Sequence, residues 1–237
     1  MSRCFALTFD KHMKVGIIVA FDEEIDILRG HMKNVTERES AGVRITGGVL
    51  AGHEVFLSLS GIGKTNAAAT TQLIICECKP DMLLNIGFAG SCCDLPIGGA
   101  VVVDKLVYHD FRMDFAAESP PYTEFYTPDA QLLTKTEEAL KNIGIKCMRG
   151  TCATGDQFIG EHAVKNNIVL RTHCACVEME GAAFAHVAQK NRVPFACVKV
   201  VSDRADESAH DEFLETVTAK DYSEMSARFV TELASIL

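Results

Sequence analysis

"CACVEMEGAAFAHVA", residues 174–188, reads as a buried strand over 174–180 that turns directly into a helix over 181–190. Glu178 and Glu180 stand one residue apart at that junction, among residues that are otherwise apolar or small. An ionised carboxylate left unpaired in such a setting costs at least several kcal/mol, so the pair demands a reason. Side chains alternate along a strand with period two, which puts both glutamates on one side, where they can address a single ligand. Met179 then faces the other way, unless the strand breaks there and the turn re-aims it. Gly181 allows close backbone approach at that turn.

Outward from this unit the same alternation recurs. "KVGIIVA" (14–20), "MLLNIGFAG" (82–90), "AVVVDKLVYHD" (100–110), "CMRGTCATG" (147–155) and "FACVKVVSD" (195–203) are strand-like, and "RITGGVLAGHEVFLSLSG" (44–61) reads as a hairpin turning at Gly52 and His53. Helical patterns cover 22–32, with Asp22 as N-cap, 64–78, stopped by Pro80, and stretches near 129–143, 161–168 and 211–236. The fold class is therefore α/β, a largely parallel or mixed sheet with helices on both faces. The irregular segment 115–128, with two adjacent prolines and three aromatics, reads as a lid or subunit-contact loop.

In folds of this kind ligands gather where strands end. Three strand ends deliver acids: Asp22, Glu23 and Glu24; Glu178 and Glu180; and Asp203 and Asp206, with Ser202 beside them. If the strands run parallel, the three clusters meet on one edge. A lone acid there is usually a helix cap or a dipole-favoured first-turn residue, whereas three in corresponding positions favour a shared polar pocket. "SGIGKTNAAA" (60–69) places Gly61, Gly63 and Lys64 before a helix but lacks the Walker spacing, and "NIGFAGS" (85–91) is a second glycine turn.

Composition bounds the function. The 237 residues, 48% of them hydrophobic, suit a single compact domain, with residues 1–12 as an N-terminal extension and 13–237 as the domain. A net charge of −9 and no Lys/Arg run exclude a nucleic-acid surface and leave a small molecule or a protein as partner. No apolar run is long enough for a membrane span, the first twelve residues are too polar for a secretory signal, and the chain reads as cytoplasmic. Ten cysteines lie mostly in apolar runs without a paired CxxC, the pattern of reduced buried thiols, and the eight histidines show no metal-ligand spacing.

The motifs "MKVGIIVAFDEE", "SGIGKTNAA", "NIGFAG", "YHD" (108–110), "TGDQFI" (154–159), "VEMEGAAFAHVA" and "VSDRAD", in this order, resemble those of the 5′-methylthioadenosine/S-adenosylhomocysteine nucleosidases of the nucleoside phosphorylase/nucleosidase superfamily, over about 13–237. The resemblance implies a three-layer α/β/α fold with a central mixed sheet, no metal or cofactor, and a homodimer whose pocket is completed by the partner subunit. It implies hydrolysis of the adenine glycosidic bond of 5′-thio-adenosines. By the same resemblance Asp203, helped by Ser202, is the general acid toward the adenine, and Glu24 activates the attacking water. Glu180 grips the ribose hydroxyls with Met179 against the sugar. Phe158 stacks on adenine, the backbone at Ile159 reads the purine edge, and Phe21 and Ile62 line the 5′-substituent pocket. Ala89, Gly90 and Glu178 complete the substrate-binding set, with a structural role as the alternative for Glu178. Met113 and its neighbours would come from the partner subunit, and His210 lies beside the expected 5′ pocket.

The chemistry asks for the same parts. Cleavage of an N-ribosyl bond passes through an oxocarbenium-like sugar and a departing purine, so an acid on one side and a water-activating base on the other serve it. Asp203 must keep its proton near neutral pH, which calls for desolvation or a neighbouring negative charge. Two positions depart from the family pattern: Phe88 replaces a serine and Lys199 an arginine, both of which ordinarily help to hold the catalytic water. Two rivals follow, a phosphorylase of the same superfamily and a nucleoside-binding or storage homologue without catalysis. Acids at the N-terminal strand end repel phosphate and count against the first; retention of Glu24, Glu180 and Asp203 together counts against the second.

Overall fold

The computed structural model describes residues 12–20, 22–217 and 220–237. Residues 1–11 of the expected N-terminal extension lie outside the described residues. Nine strands and eight helices follow in the order β1 (Lys14–Val19), α1 (Asp22–His31), β2 (Lys33–Ser40), β3 (Val43–Leu50), β4 (His53–Leu59), α2 (Lys64–Cys78), β5 (Met82–Ser91), β6 (Ala100–Tyr108), α3 (Met113–Ala117), α4 (Ala130–Asn142), β7 (Cys147–Thr154), α5 (His162–Thr172), β8 (Cys176–Glu178), α6 (Gly181–Lys190), β9 (Phe195–Asp203), α7 (Ala209–Val217) and α8 (Lys220–Ile236). This is the mixed α/β architecture expected, with helices on both faces of one central sheet.

The sheet runs β2-β3-β4-β1-β5-β8-β7-β6-β9, and β9 returns to pair with β5. β5, β9, β6, β7 and β8 thereby close a five-stranded ring, while β1 to β4 extend from it as an open wing. β5 is the hinge: its start pairs with β1, its end with β8, and its other edge with β9. Flanked on both edges and covered on both faces, β5 and β9 are buried along their whole length, which is why "MLLNIGFAG" and "FACVKVVSD" are continuous apolar runs rather than alternating ones. One apolar cluster packs β1, β4, β5 and β9 against α1, α4 and α8; the other packs the opposite face against α2 and α6.

Several expectations need correction. The strand expected over 174–180 ends at Glu178, because Glu178 turns to the N-terminus of α6 and the chain leaves the sheet. β8 runs antiparallel to β5, pairing Gly90 with Val177 and Ser91 with Cys176, so its acids reach the C-terminal end of β5 from the opposite direction rather than on a parallel strand. The C-terminal helix expected near 211–236 is described as α7 and α8, with residues 218–219 outside the described residues. The helix near 161–168 continues to Thr172. β2, an exposed edge strand rich in charge, and α3, overlapping the start of the irregular segment 115–128, carry too little apolar periodicity to announce themselves. The segment 115–128 is pinned at Tyr126, fully buried and bridged to Leu106 through both backbone groups at 2.9 Å.

Candidate active site

A cavity of about 310 Å³ opens where β5, β8 and β9 end, lined by Ile62, Phe88, Ala89, Gly90, Phe158, Val177, Glu178, Met179, Glu180, Ser202, Asp203 and Phe213. Each acid reaches it by a different local device.

Asp203 is delivered by a bulge. β5 and β9 stay in register through Ala89 opposite Val201, then skip Ser202 to pair Gly90 with Asp203. A bulge of this kind re-aims a side chain at a strand end. The Ser202 hydroxyl reaches Asp203 Oδ2 at 2.7 Å and the Ala89 carbonyl at 3.3 Å, and Ala205 N–H donates to Asp203 Oδ1 at 2.8 Å. Gly90 has no side chain because none fits: a Cβ there would lie 2.8 Å from Asp203 Oδ1. Burial raises the Asp203 pKa; the Ser202 and Ala205 hydrogen bonds pull it back, and the charges of Glu212 and Asp206 raise it further. The net effect is a pKa above the ordinary aspartate value for an acid that is 3% exposed and lines the cavity.

Glu178 is consumed internally. Its carboxylate accepts from Glu180 N–H at 3.0 Å, Gly181 N–H at 2.7 Å and the Thr154 hydroxyl, and it pairs with Lys199 Nζ at 2.7 Å. Thr154 in turn accepts from Ala182 N–H at 2.8 Å, so the opening turn of α6 is satisfied through one acid and one hydroxyl. Burial would raise Glu178, but Lys199 and these donors hold it below the ordinary carboxylate value. Burial likewise works against the Lys199 ammonium, and Glu178 overrides it, keeping Lys199 charged.

Glu180 occupies the N-cap position of α6, 7% exposed, and accepts from Gly63 N–H at 2.7 Å. Its pKa is pushed up to about 7, first by burial and then by the charge of Glu178, against the pull of Lys199 and the Gly63 N–H. The broken strand therefore separates the two glutamates: both border the cavity, but only Glu180 keeps acceptor capacity for a ligand.

Nine of the expected site residues, Ile62, Ala89, Gly90, Phe158, Glu178, Met179, Glu180, Ser202 and Asp203, share the cavity lining, and Ile159 lines a narrow crevice continuous with it through Phe158, Met179 and Asp203. Phe21 and the side chain of Glu24 lie outside the described residues; the backbone places Glu24 in the first turn of α1, just past the end of β1. Met113 opens α3 and packs against the chain's own core, away from the cavity. His210 meets the Phe158 ring edge-on at 6.4 Å.

Val177, Phe213, Thr154 and the Gly63 N–H escaped the sequence reading. Phe213 stands edge-on to Phe88 at 5.7 Å and to Phe158 at 5.9 Å, and Phe88 stacks on Tyr222 of α8 at 3.7 Å. On an amphipathic helix such as α7, a wall residue looks like any core residue, so no sequence signal separates it. Phe88 is thus an aromatic floor held by a stack, and Lys199 is a buried counter-ion to Glu178. Among the described residues no group of three or more His, Cys, Asp or Glu side chains could hold a metal ion.

The family model of the phosphorylase superfamily matches residues 14–235. The structure of a 5′-methylthioadenosine/S-adenosylhomocysteine nucleosidase from Neisseria meningitidis, solved with methylthio-immucillin-A, is similar at a TM-score of 0.89 and 31% identity, over 95% of this chain and 100% of that one. The S-adenosylhomocysteine nucleosidase of Streptococcus pyogenes, solved with 5-methylthiotubericidin, is similar at 0.88 and 30% identity, over 95% and 97%. Futalosine hydrolase of Helicobacter pylori is similar at 0.87 and 30%, over 95% and 99%.

Proposed function

The chain belongs to the phosphorylase superfamily, and from that premise we propose that it is an N-ribosyl hydrolase, cleaving 5′-methylthioadenosine and/or S-adenosylhomocysteine to adenine and a 5-thioribose product. The observation that carries the reading is a buried acid with a raised pKa, Asp203, sharing one cavity with a ribose-competent carboxylate, Glu180. Adenine departs as a good leaving group only when protonated, and Asp203, with its pKa raised by burial and with Ser202 beside it, is the group placed to donate that proton. Glu180 accepts from the ribose hydroxyls and favours the positive charge growing on the sugar. Glu24, arriving from the start of α1, activates the water on the opposite face. Phe158, Phe213 and Ile62 supply apolar walls for the base and the 5′-substituent, and a cavity of about 310 Å³ is the size of a nucleoside-scale site.

The described lining contains no arginine or lysine, and a phosphate would meet Glu180 and Asp203; both favour water over phosphate as the nucleophile. The likeness to futalosine hydrolase supports a second substrate for the same chemistry, a futalosine-type nucleoside. The exposed Phe111, Phe115, Tyr122 and Phe125 around the lid support a homodimer that covers the pocket mouth. The single catalytic unit of this proposal is 13–237. The test is to incubate the purified protein with each nucleoside in phosphate-free buffer and quantify adenine. Release without phosphate is expected; release only on adding phosphate would make it a phosphorylase, and no release under either condition a binding protein.

A further inference from the structure

In three motifs, "SGIGK" (60–64), "YHD" (108–110) and "TGDQF" (154–158), the charged residues Lys64, Asp110 and Asp156 have no part in the chemistry above. In the folded chain they meet at one point on the cavity rim. Asp110, just past β6, accepts Lys64 Nζ on both carboxylate oxygens at 2.6 and 2.7 Å, and its Oδ2 also accepts Asp156 N–H at 2.8 Å. Asp156, just past β7, accepts the Lys64 backbone N–H at 2.8 Å and lies 3.6 Å from Lys64 Nζ. Lys64 is the first residue of α2, and the residue before it, Gly63, is the one whose N–H binds Glu180. Phe158 stands two residues beyond Asp156.

We infer that Lys64, Asp110 and Asp156 form a latch that aims the Gly63 N–H at Glu180, making Asp110 a positioning residue for ribose recognition. The inference rests on the nucleosidase reading. Its geometry is specific. β4, which feeds the Gly63 loop, belongs to the open wing of the sheet, whereas β6 and β7 belong to the closed ring, and no strand pairing joins β4 to either. The latch therefore bridges wing and ring across the cavity mouth. Gly63 sits at φ 97°, ψ 160°, a backbone conformation that L side chains rarely adopt, so the direction of its N–H depends on what fixes the peptide on either side. A Cβ at Gly63 would stand 3.2 Å from Asp156 Oδ1, which leaves the loop little room to settle elsewhere while the latch is closed.

The latch is also persistent. The Lys64 and Asp110 side chains are about one-fifth exposed, so their pairing is less screened than a surface ion pair. Burial would raise Asp110, but Lys64 and the Asp156 N–H hold it below the ordinary carboxylate value, so it stays ionised wherever the enzyme works. Glu180 faces Glu178 of β8, Lys199 and Asp203 of β9, and the Gly63 N–H of the wing. Of these, only the Gly63 donor depends on the latch. Opening it removes one hydrogen bond that favours the ionised form, so Glu180 binds its proton more tightly and grips ribose only at higher pH.

The test compares Asp110→Ala, Lys64→Met and Lys64→Arg with the unmodified chain. For Asp110→Ala and Lys64→Met the expected results are a KM for nucleoside raised roughly tenfold, the scale of one charge-assisted hydrogen bond, with kcat nearly kept and the acid limb of kcat/KM moved to higher pH. Amide exchange over 60–64 in the unliganded protein should quicken. Lys64→Arg, which keeps the ion pair, should restore KM. If either folded variant shows unchanged exchange at Gly63 together with an unchanged KM and acid limb, the latch is wrong. If the unmodified chain releases adenine from no nucleoside, the nucleosidase reading fails on its own, and exchange at Gly63 alone decides the latch.

Discussion

Glu178 and Glu180 are the same residue type two positions apart and both border the cavity, yet one is bound into the closed ring of the sheet and the other is left to the cavity. Glu178 is the last residue of β8, its carboxylate filled by Lys199, Thr154 and the first amides of α6. Glu180 has left the strand, caps the helix, and holds one amide from across the cavity mouth. Saturation costs Glu178 its freedom and stabilises its charge; under-saturation leaves Glu180 with spare acceptor capacity and a pKa near neutrality. Asp203 repeats the second pattern from another strand, its pKa raised by burial. A single junction thus separates the electrostatics of folding from those of ligand handling, and the turn after Glu178 is the device that does it.

The largest effect should come from the cavity side. Asp203→Asn keeps the shape and removes the transferable proton, so adenine release should fall by roughly 10²–10⁴-fold, while the urea midpoint stays close to that of the parent because the amide can still accept from Ala205 N–H and hydrogen-bond to Ser202. Turnover within a few-fold of the parent would break the contrast. On the ring side the sign reverses. Lys199→Met leaves Glu178 buried without its counter-ion, and removing one partner of such a pair costs about 3–5 kcal/mol of stability, readable by urea unfolding at pH 7. A loss under about 1 kcal/mol, typical of exposed pairs, would mean that Glu178 is not committed to the fold.

The fold was legible where strands are buried on both faces. β5 and β9 read directly from their unbroken apolar runs, and α2 from its alanine-rich stretch between Gly63 and Pro80. β2 was not, since seven of its eight residues are exposed and its pairing with β3 rests on backbone hydrogen bonds that no side-chain pattern records. The acids were legible as a set, yet the way they meet was not. The expectation of parallel strands suits Asp203, because β9 runs parallel to β5, but β8 comes in antiparallel and shares only two registered pairs with β5. The role of Lys199 was equally hidden: its partner Glu178 lies 21 positions earlier, and only closure of the ring makes them neighbours. Phe88, conspicuous as a departure from the family pattern, becomes intelligible once α8 brings Tyr222 onto its face.

Linkage makes the contrast measurable. The carboxyl of Glu178 is held below the ordinary 4.5, so its contribution to stability is complete above that value and is lost as pH falls through the folded-state value. Glu180 is raised from 4.5 to about 7, so the stability it lends below pH 4.5 is lost as pH rises through that window. The most direct measurement is a pH titration of the glutamate carboxyl carbons by NMR in the unliganded protein, assigned with Glu178→Gln and Glu180→Gln. Glu180 should titrate near pH 7 while Glu178 remains ionised to below pH 4.5. A Glu178 that titrates near neutrality, or two glutamates that both titrate at ordinary values, would contradict the division of labour on which the site is built.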